Sequence, residues 1–343
     1  MPKISLADVA KRAEVSRGAV SQVVNGDVRG RISEATKARI FAAMKDLGYQ
    51  PNRLARALSR GKTDCIGLMI SGFRNPFYVA LLEHTERMLH EAGYQVLIDS
   101  SSLQETNEMS GKLQGWNVDG VLVYSPQKDL THYLGAHARD LPVVGMGTSA
   151  GRGDWVVFDM YGGATQAIEY SIGRGYKRVA HVTPCLETKR RAAMDGRLAA
   201  CFDACQKADL PLEIISIAGE DVLAGARRVG LEIAARKSKK RPHVLLCHND
   251  VAAIGAIHGL RRGKVRVPED VAVVGFDGIA EGQLLEKPLT TVEMPIEEAC
   301  QKAVALLLER IEQRREANSQ SPKTKSRRRK VTIATRLLLG ETT

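Results

Sequence analysis

The stretch SRGAVSQVVNG, residues 16–26, decides how the front of this chain is read. Ser16 is placed to cap a short helix. Ala19, Val20, Val23 and Val24 make one side of it apolar, and Arg17, Gly18, Ser21 and Gln22 make up the other. Upstream, Leu6, Val9, Ala10 and Ala13 recur at helical spacing, and the turn Glu14-Val15-Ser16 separates the two helices. Downstream, SEATKARIFAAMKDLG (33–48) opens on Ser33 as N-cap, turns Ile40, Met44 and Leu47 inward and stops at Gly48. Three short helices with one small core and a tight turn after the first make a helix–turn–helix. Its second helix fits a major groove about 12 Å wide. Arginine pairs bidentately with guanine and glutamine with adenine, whereas groups such as those of Ser16, Ser21 and Asn25 suit phosphates.

The charge distribution points the same way. Net charge is +11, and residues 1–61 hold 12 Lys/Arg against 5 Asp/Glu. KTKSRRRK (323–330) adds six basic residues with no acid, so the rest of the chain is slightly acidic. Local basicity of this kind is expected when one end meets a polyanion. For 323–330, a solvated basic loop is an equal reading. No apolar run approaches the ~20 residues that span a bilayer, so no membrane partner is expected. The opening MPKISLADVAKRA lacks the apolar stretch of a secretory signal, which predicts a cytoplasmic protein. Cysteines 65, 185, 201, 205, 247 and 300 mostly sit in apolar segments and read as small buried hydrophobes. Cys201 and Cys205 can share a helix face, but nothing completes a metal set, and no metal or cofactor is expected.

Pro51 breaks the helical pattern, and NRLARALSRGK (52–62) reads as a brief basic helix or linker, too short to hold its form without a partner. From residue 65 strands alternate with helices. The strands are 65–70, 95–99, 120–124, 142–146 and 155–158, then 178–183, 213–217, 243–247 and 271–275. Helices fit at 77–92, 161–174, 189–207, 222–237 and 249–262, with a long one near 296–316 and a last strand in VTIATRLLL (331–339). Continuous Val/Ile/Leu strands alternating with helices imply parallel sheets covered on both faces. Two such series imply two α/β lobes whose strand ends enclose a cleft.

The chain resembles the lactose/galactose-repressor family of bacterial transcription regulators. The stretches LADVAKRAEVS, AVSQVVNG, ISEATKARI and LGYQPNRLARAL carry the likeness at the front. NPFY (75–78), HND (248–250), VPEDVAVVGFDG (267–278) and PLTTVEMP (288–295) carry it through the body. The resemblance implies a three-helix DNA-binding domain (1–50), a hinge helix (51–62) and a two-lobed domain like periplasmic sugar-binding proteins (63–343). Its first lobe would take 63–160 and 293–320, its second 161–292 and 330–343. It further implies base reading by Arg17, Gly18 and Gln22, and backbone contacts by Ser5, Ser16, Ser21, Asn25, Ser33, Thr36, Tyr49 and Asn52. Ala55 and Leu58 would enter the minor groove, where an apolar wedge unstacks a base step in exchange for wider contact. An effector, a sugar or related metabolite, would lie between the lobes on Asn75, Phe77, Tyr78, Asp159, Arg191, Glu220, Asn249 and Asp277. This chain departs from the common family pattern at Gly18, Ala19 and Gln22 in the reading helix. In the cleft it departs at Gly147, Ala193 and Glu220.

Two other patterns carry less. GTSAG (147–151) satisfies the nucleophile-elbow spacing, but a loop and a strand follow where that motif requires a helix. GMGTSAG is a loose echo of a dinucleotide fingerprint with the wrong spacing. The sequence therefore predicts a dimeric, effector-controlled DNA-binding regulator, most simply a repressor on a near-palindromic operator, and no enzyme. The alternative is a cytoplasmic small-molecule binding protein that does not act on DNA.

Overall fold

The computed structural model describes residues 4–24, 32–50, 62–70, 72–100, 117–124, 141–147, 153–184, 195–319 and 328–343. They divide into two compact units, one of residues up to 65 with 117–119, the other of the remainder.

In the first unit, α1 (Leu6–Ala13), α2 (Arg17–Val24) and α3 (Glu34–Leu47) surround a core of Val9, Ala10, Ala13, Val20, Val23, Ile40 and Ala43. Local chemistry sets each boundary. Ser5 and Asp8 form a reciprocal capping box at the start of α1, and Glu14 ends that helix in the left-handed conformation (φ 53°). Ser33 caps α3 and Gly48 closes it at φ 62°. Met44 and Leu47 pack against the core half-buried. The expected hinge positions Ala55 and Leu58, together with Asn25 and Asn52, lie outside the described residues.

The second unit holds two six-stranded sheets. The first contains β1 (Cys65–Met69), β2 (Gln95–Asp99), β3 (Gly120–Tyr124), β4 (Val143–Gly147), β5 (Asp154–Phe158) and β11 (Lys330–Ile333), in the order β11-β5-β4-β3-β1-β2. The second contains β6 (Val179–Thr183), β7 (Leu212–Ser216), β8 (Val244–Cys247), β9 (Ala272–Asp277), β10 (Thr290–Glu293) and β12 (Arg336–Leu338), in the order β12-β10-β9-β8-β6-β7. β12 runs antiparallel to β10, whereas β7, β6, β8, β9 and β10 run parallel. The helices are α4 (Pro76–Glu91), α5 (Met160–Gly173), α6 (Gly196–Lys207), α7 (Val222–Ala235), α8 (Asp250–Arg262), α9 (Ala280–Gln283) and α10 (Ile296–Ser319). Strands β3 and β5 are buried at every position, as expected for parallel strands covered on both faces.

Three sequence expectations need correction. The closing VTIATRLLL is two strands in different sheets, so Lys330–Ile333 belongs with the first lobe and only the residues after it with the second. The chain crosses between lobes at residues 334–335, where the Thr335 hydroxyl donates to the Asp159 carbonyl at 2.8 Å. Thr290–Glu293 is a strand beside β9, so Glu293 lies in the second sheet and not, as expected, with the first lobe. The helix read over 189–207 is described from Gly196, because Asp195 takes an extended conformation and caps it. Residues 189–194 lie outside the described residues.

Helices α7 and α8 pack almost backbone to backbone. A Cβ on Gly255 would lie 2.5 Å from the Leu223 carbonyl oxygen, one on Gly259 2.2 Å from that of Arg227, and one on Gly230 2.3 Å from that of Ala256. Only glycine allows this approach, and it fixes the start of α8, which carries Asp250.

Candidate functional site

The face of α2 expected to meet bases is turned outward. Arg17, Gly18 and Gln22 are exposed and Ser21 is half-buried, while Val20 and Val23 fill the core. Ser16 Oγ accepts the Ala19 N–H at 3.1 Å, which anchors the first turn of this helix. The serines expected at phosphates also hold helix starts. Ser33 Oγ accepts the Thr36 N–H at 3.3 Å and lies 2.9 Å from the Thr36 hydroxyl. Ser5 Oγ donates to Asp8 at 2.7 Å and accepts the Asp8 N–H at 3.4 Å. The Ser5 hydroxyl, together with the Ser5 N–H donating at 2.8 Å, holds the Asp8 carboxyl below its usual range. A phosphate arriving at Ser5 would have to compete with that carboxylate. Tyr49 packs half-buried against the core of this unit.

In the second unit, Asn75 precedes α4 and Asp277 ends β9. Asn75 Oδ1 accepts the Phe77 N–H at 3.0 Å, capping α4, and its Nδ2 donates to Asp277 Oδ2 at 2.8 Å. This bond joins the first lobe to the second at the ends of their strands. Asp277 is 3 % exposed and takes a positive φ of 131°, uncommon for a residue with a side chain. Burial, reinforced by the Asp250 carboxylate, pushes its carboxyl up to about 8. Beside Asn75, exposed Arg74 donates to Asp221 at 2.9 Å, and Asp221 also caps α7 through the Ala224 N–H.

The other expected cleft residues separate into distinct roles. Phe77 is buried, its ring edge-on to Tyr78 (5.5 Å) and to Phe158 (5.9 Å), so it is part of the core. Asn249 caps α8 by accepting the Ala252 N–H at 2.9 Å. Asp159 is exposed and caps α5 through the Gly162 N–H at 2.9 Å. Glu220 is exposed, and its carboxylate is held by Arg228 at 2.6 and 3.1 Å, which keeps it below the usual range. Arg191 and Ala193 lie outside the described residues.

Sequence reasoning missed a buried polar cluster under the Asp277 end of β9. Arg197 on α6 donates Nη1 to the His248 carbonyl at 2.7 Å, and its Nη2 lies 2.9 Å from His248 Nε2. Arginine only donates, so Nε2 accepts and the neutral imidazole carries its proton on Nδ1. That nitrogen lies 3.2 Å from Asp195 Oδ2, off the line of a good hydrogen bond. Burial, then Arg197, lowers the His248 imidazole against the pull of Asp195. The Arg197 guanidinium also lies over the Phe276 ring, 5.1 Å from its centre. Next in the chain, Asp250 accepts from the Gly278 and Ile279 N–H groups (2.8 and 2.9 Å) and from the Thr291 hydroxyl (2.5 Å). Burial pushes its carboxyl up to about 6 against these three bonds. The signal was present in HND, where His248 and Asp250 reach distant segments while Asn249 caps its own helix. It shows in sequence only once the segments 195–197, 278–279 and 291 are known to converge.

Comparison with known proteins agrees with both units. Residues 5–52 match the family described as bacterial regulatory proteins, lacI family, and residues 168–343 match a periplasmic binding protein-like domain. The chain is 31% identical over 319 residues to the HTH-type transcriptional repressor PurR of Proteus mirabilis (strain HI4320), covering 91% of this chain and 92% of that one. It is 30% identical over 328 residues to the ribose operon repressor of Escherichia coli (strain K12), covering 90% and 93%. Among solved structures it is similar to a transcriptional regulator CelR–cellobiose complex, with a TM-score of 0.65, 27% identity and coverage of 99% and 100%.

Proposed function

This chain belongs to the lacI family of bacterial regulatory proteins, and from that premise we propose that it is a cytoplasmic, dimeric repressor whose DNA affinity is set by a small molecule in the cleft between its lobes. The observation that carries the reading is the outward face of α2, where Arg17 and Gln22 stand exposed on a helix anchored by Ser16. A bidentate arginine–guanine or glutamine–adenine pair is worth roughly 1–3 kcal/mol of discrimination, and two copies on a two-fold axis read a near-palindromic site. Gly18 brings backbone, not a side chain, to the groove, so the preferred operator differs from one read by three side chains.

The cleft supports a ligand rich in hydrogen-bonding groups, a sugar or related metabolite, since Asp277 and Asn75 meet there. The similarity to a regulator complexed with cellobiose is consistent with that class. We infer a binding protein and not an enzyme. Asp159, the carboxylate that would be asked to work with Asp277 as an acid–base pair, instead caps α5 on the surface. β5 begins at Asp154, so GTSAG leads into a strand.

Selection of duplexes from a random pool by the full chain, followed by gel shift at moderate ionic strength, tests the reading. The expected result is one enriched, near-palindromic sequence. Arg17→Ala should lose about 10- to 100-fold in affinity for it and relax the base preference at one position of each half-site. Binding to random competitor as tight as to the selected site would overturn the proposal.

A further inference from the structure

Consecutive residues of the loop before α4 each reach a carboxylate of the second lobe, Arg74 to Asp221 and Asn75 to Asp277. The two bonds differ in kind. Arg74 and Asp221 are exposed, with side chains 88% and 42% accessible, and such a pair is screened by salt and contributes little. Asn75 is engaged through both the oxygen and the nitrogen of its amide. Its carbonyl oxygen is fixed by the α4 cap, which leaves its amide nitrogen pointing at a carboxyl that is 3% exposed. Asp277 in turn is held in place by its surroundings. Its φ is positive, and the Gly278 and Ile279 N–H groups that follow it are bound by Asp250. Both ends of the bond are therefore preset by the elements that carry them, and little ordering remains to be done when it forms.

We propose that Asn75 is the positioning residue of the cleft: its amide occupies the Asp277 carboxyl and ties the two lobes together, in competition with any ligand that uses that carboxyl. The inference rests on the ligand-binding reading of this cleft and adds its regulation. A ligand that uses Asp277 has to bring its own hydrogen-bond donor in exchange for Asn75. The lobe arrangement is then a competition between an internal and an external donor for one acceptor, and a ligand moves it only by its differential affinity for the two arrangements.

The test needs neither operator nor effector, so it stands apart from the DNA-binding assay. The full chain carries a dye pair, attached through non-natural amino acids at the exposed positions Glu83 in the first lobe and Lys239 in the second. Asn75→Ser keeps an N-cap oxygen for α4 but is too short to reach Asp277. It is expected to lower the transfer efficiency and broaden its distribution. The double variant Asn75→Asp with Asp277→Asn reverses donor and acceptor while keeping the cap, and is expected to restore the wild-type efficiency. Arg74→Ala is expected to change it little, and less at high salt. An Asn75→Ser protein with wild-type efficiency and an unchanged melting temperature would overturn the proposal. So would a reversed pair that behaves like Asn75→Ser.

Discussion

The two candidate recognition surfaces of this chain are built on opposite plans. On α2 the polar side chains expected to read DNA stand in solvent, and the protein supplies only the helix that carries them. In the cleft the polar groups are already engaged: Asp277 with Asn75, Arg197 with His248, Asn249 with the start of α8. DNA is a large polyanion that arrives with its own charge, and an exposed arginine gives up only loosely held water and counterions to meet it. A small ligand has few groups to offer, and its site has to be ordered beforehand at the cost of internal partners that it must replace. The difference predicts that substitutions of the exposed base-reading residues Arg17 and Gln22 act on affinity alone, whereas cleft substitutions act on stability as well.

The largest effect should come from Asp250, where the cleft floor is pinned. Its carboxylate serves the Gly278 and Ile279 N–H groups and the Thr291 hydroxyl. Leaving a buried donor unsatisfied costs roughly 1–3 kcal/mol, so Asp250→Ala should destabilise the second unit by about 3 kcal/mol or more. Urea denaturation followed by tryptophan fluorescence and far-ultraviolet circular dichroism reads this directly. A loss under about 1 kcal/mol would mean that the turn after β9 is held by something else, and that the cleft floor is less ordered beforehand than its bonding indicates.

The same contrast explains what the sequence disclosed. Periodicity located most of the described strands and helices to within a residue or two, because apolar spacing is a local property. It placed Arg17, Gly18 and Gln22 outward for the same reason, since the outer face of an amphipathic helix is set by its inner one. The cleft resisted. His248 lies 51 residues beyond Arg197, and only the tertiary fold makes Arg197 a buried donor to the His248 carbonyl. Glu220, a cleft position by resemblance though a departure from the family pattern, is instead held at the surface by Arg228, eight residues on. Thr290–Glu293 was missed because four residues between Pro288 and Pro295 carry too short a pattern to separate strand from connection.

A smaller effect follows from titration. Asp277 is raised from 3.8 to about 8, so its contribution to stability is fully present below about pH 4 and is lost as pH rises through about 8. The groups around it are Asp250 on α8, Arg197 on α6, Asn75 before α4, and Glu293, its register partner on β10, which pairs with Arg336. Asp250 is raised only to about 6 and is mostly ionised above pH 6.5. Between pH 6.5 and 8 the buried imidazoles of His181 and His248, both lowered, also take up protons only on unfolding, so Asp277 is isolated by difference from a variant that shares them. There the wild-type chain should lose stability at up to ~1.4 kcal/mol per pH unit relative to Asp277→Asn, which keeps an oxygen for Asn75. Parallel stability curves for the two proteins would show that the carboxyl ionises freely, and would remove the contrast between a solvated head and a preordered cleft. In the head, Asp8 is held below its usual range by Ser5, so it stays ionised and contributes no slope over the same interval.

The smallest effect probes the head from within. Ser33 engages its hydroxyl in the first turn of α3, accepting the Thr36 N–H, and the family resemblance also implies a phosphate contact for it. The two roles separate by substitution. Asp at position 33 caps a helix about as well as Ser, whereas Ala does not, and loss of such a cap costs about 1 kcal/mol. If Ser33 acts through the cap alone, Ser33→Ala should lower head stability by about that amount, Ser33→Asp should not, and both should bind a selected duplex within a few-fold of wild type. If the hydroxyl also meets a phosphate, Ser33→Asp should keep its stability but bind several-fold more weakly, since it brings a negative charge to a negative backbone. That second outcome would make the head resemble the cleft, with one group serving both the fold and the ligand, and the division between the two surfaces would hold only for the base-reading residues of α2.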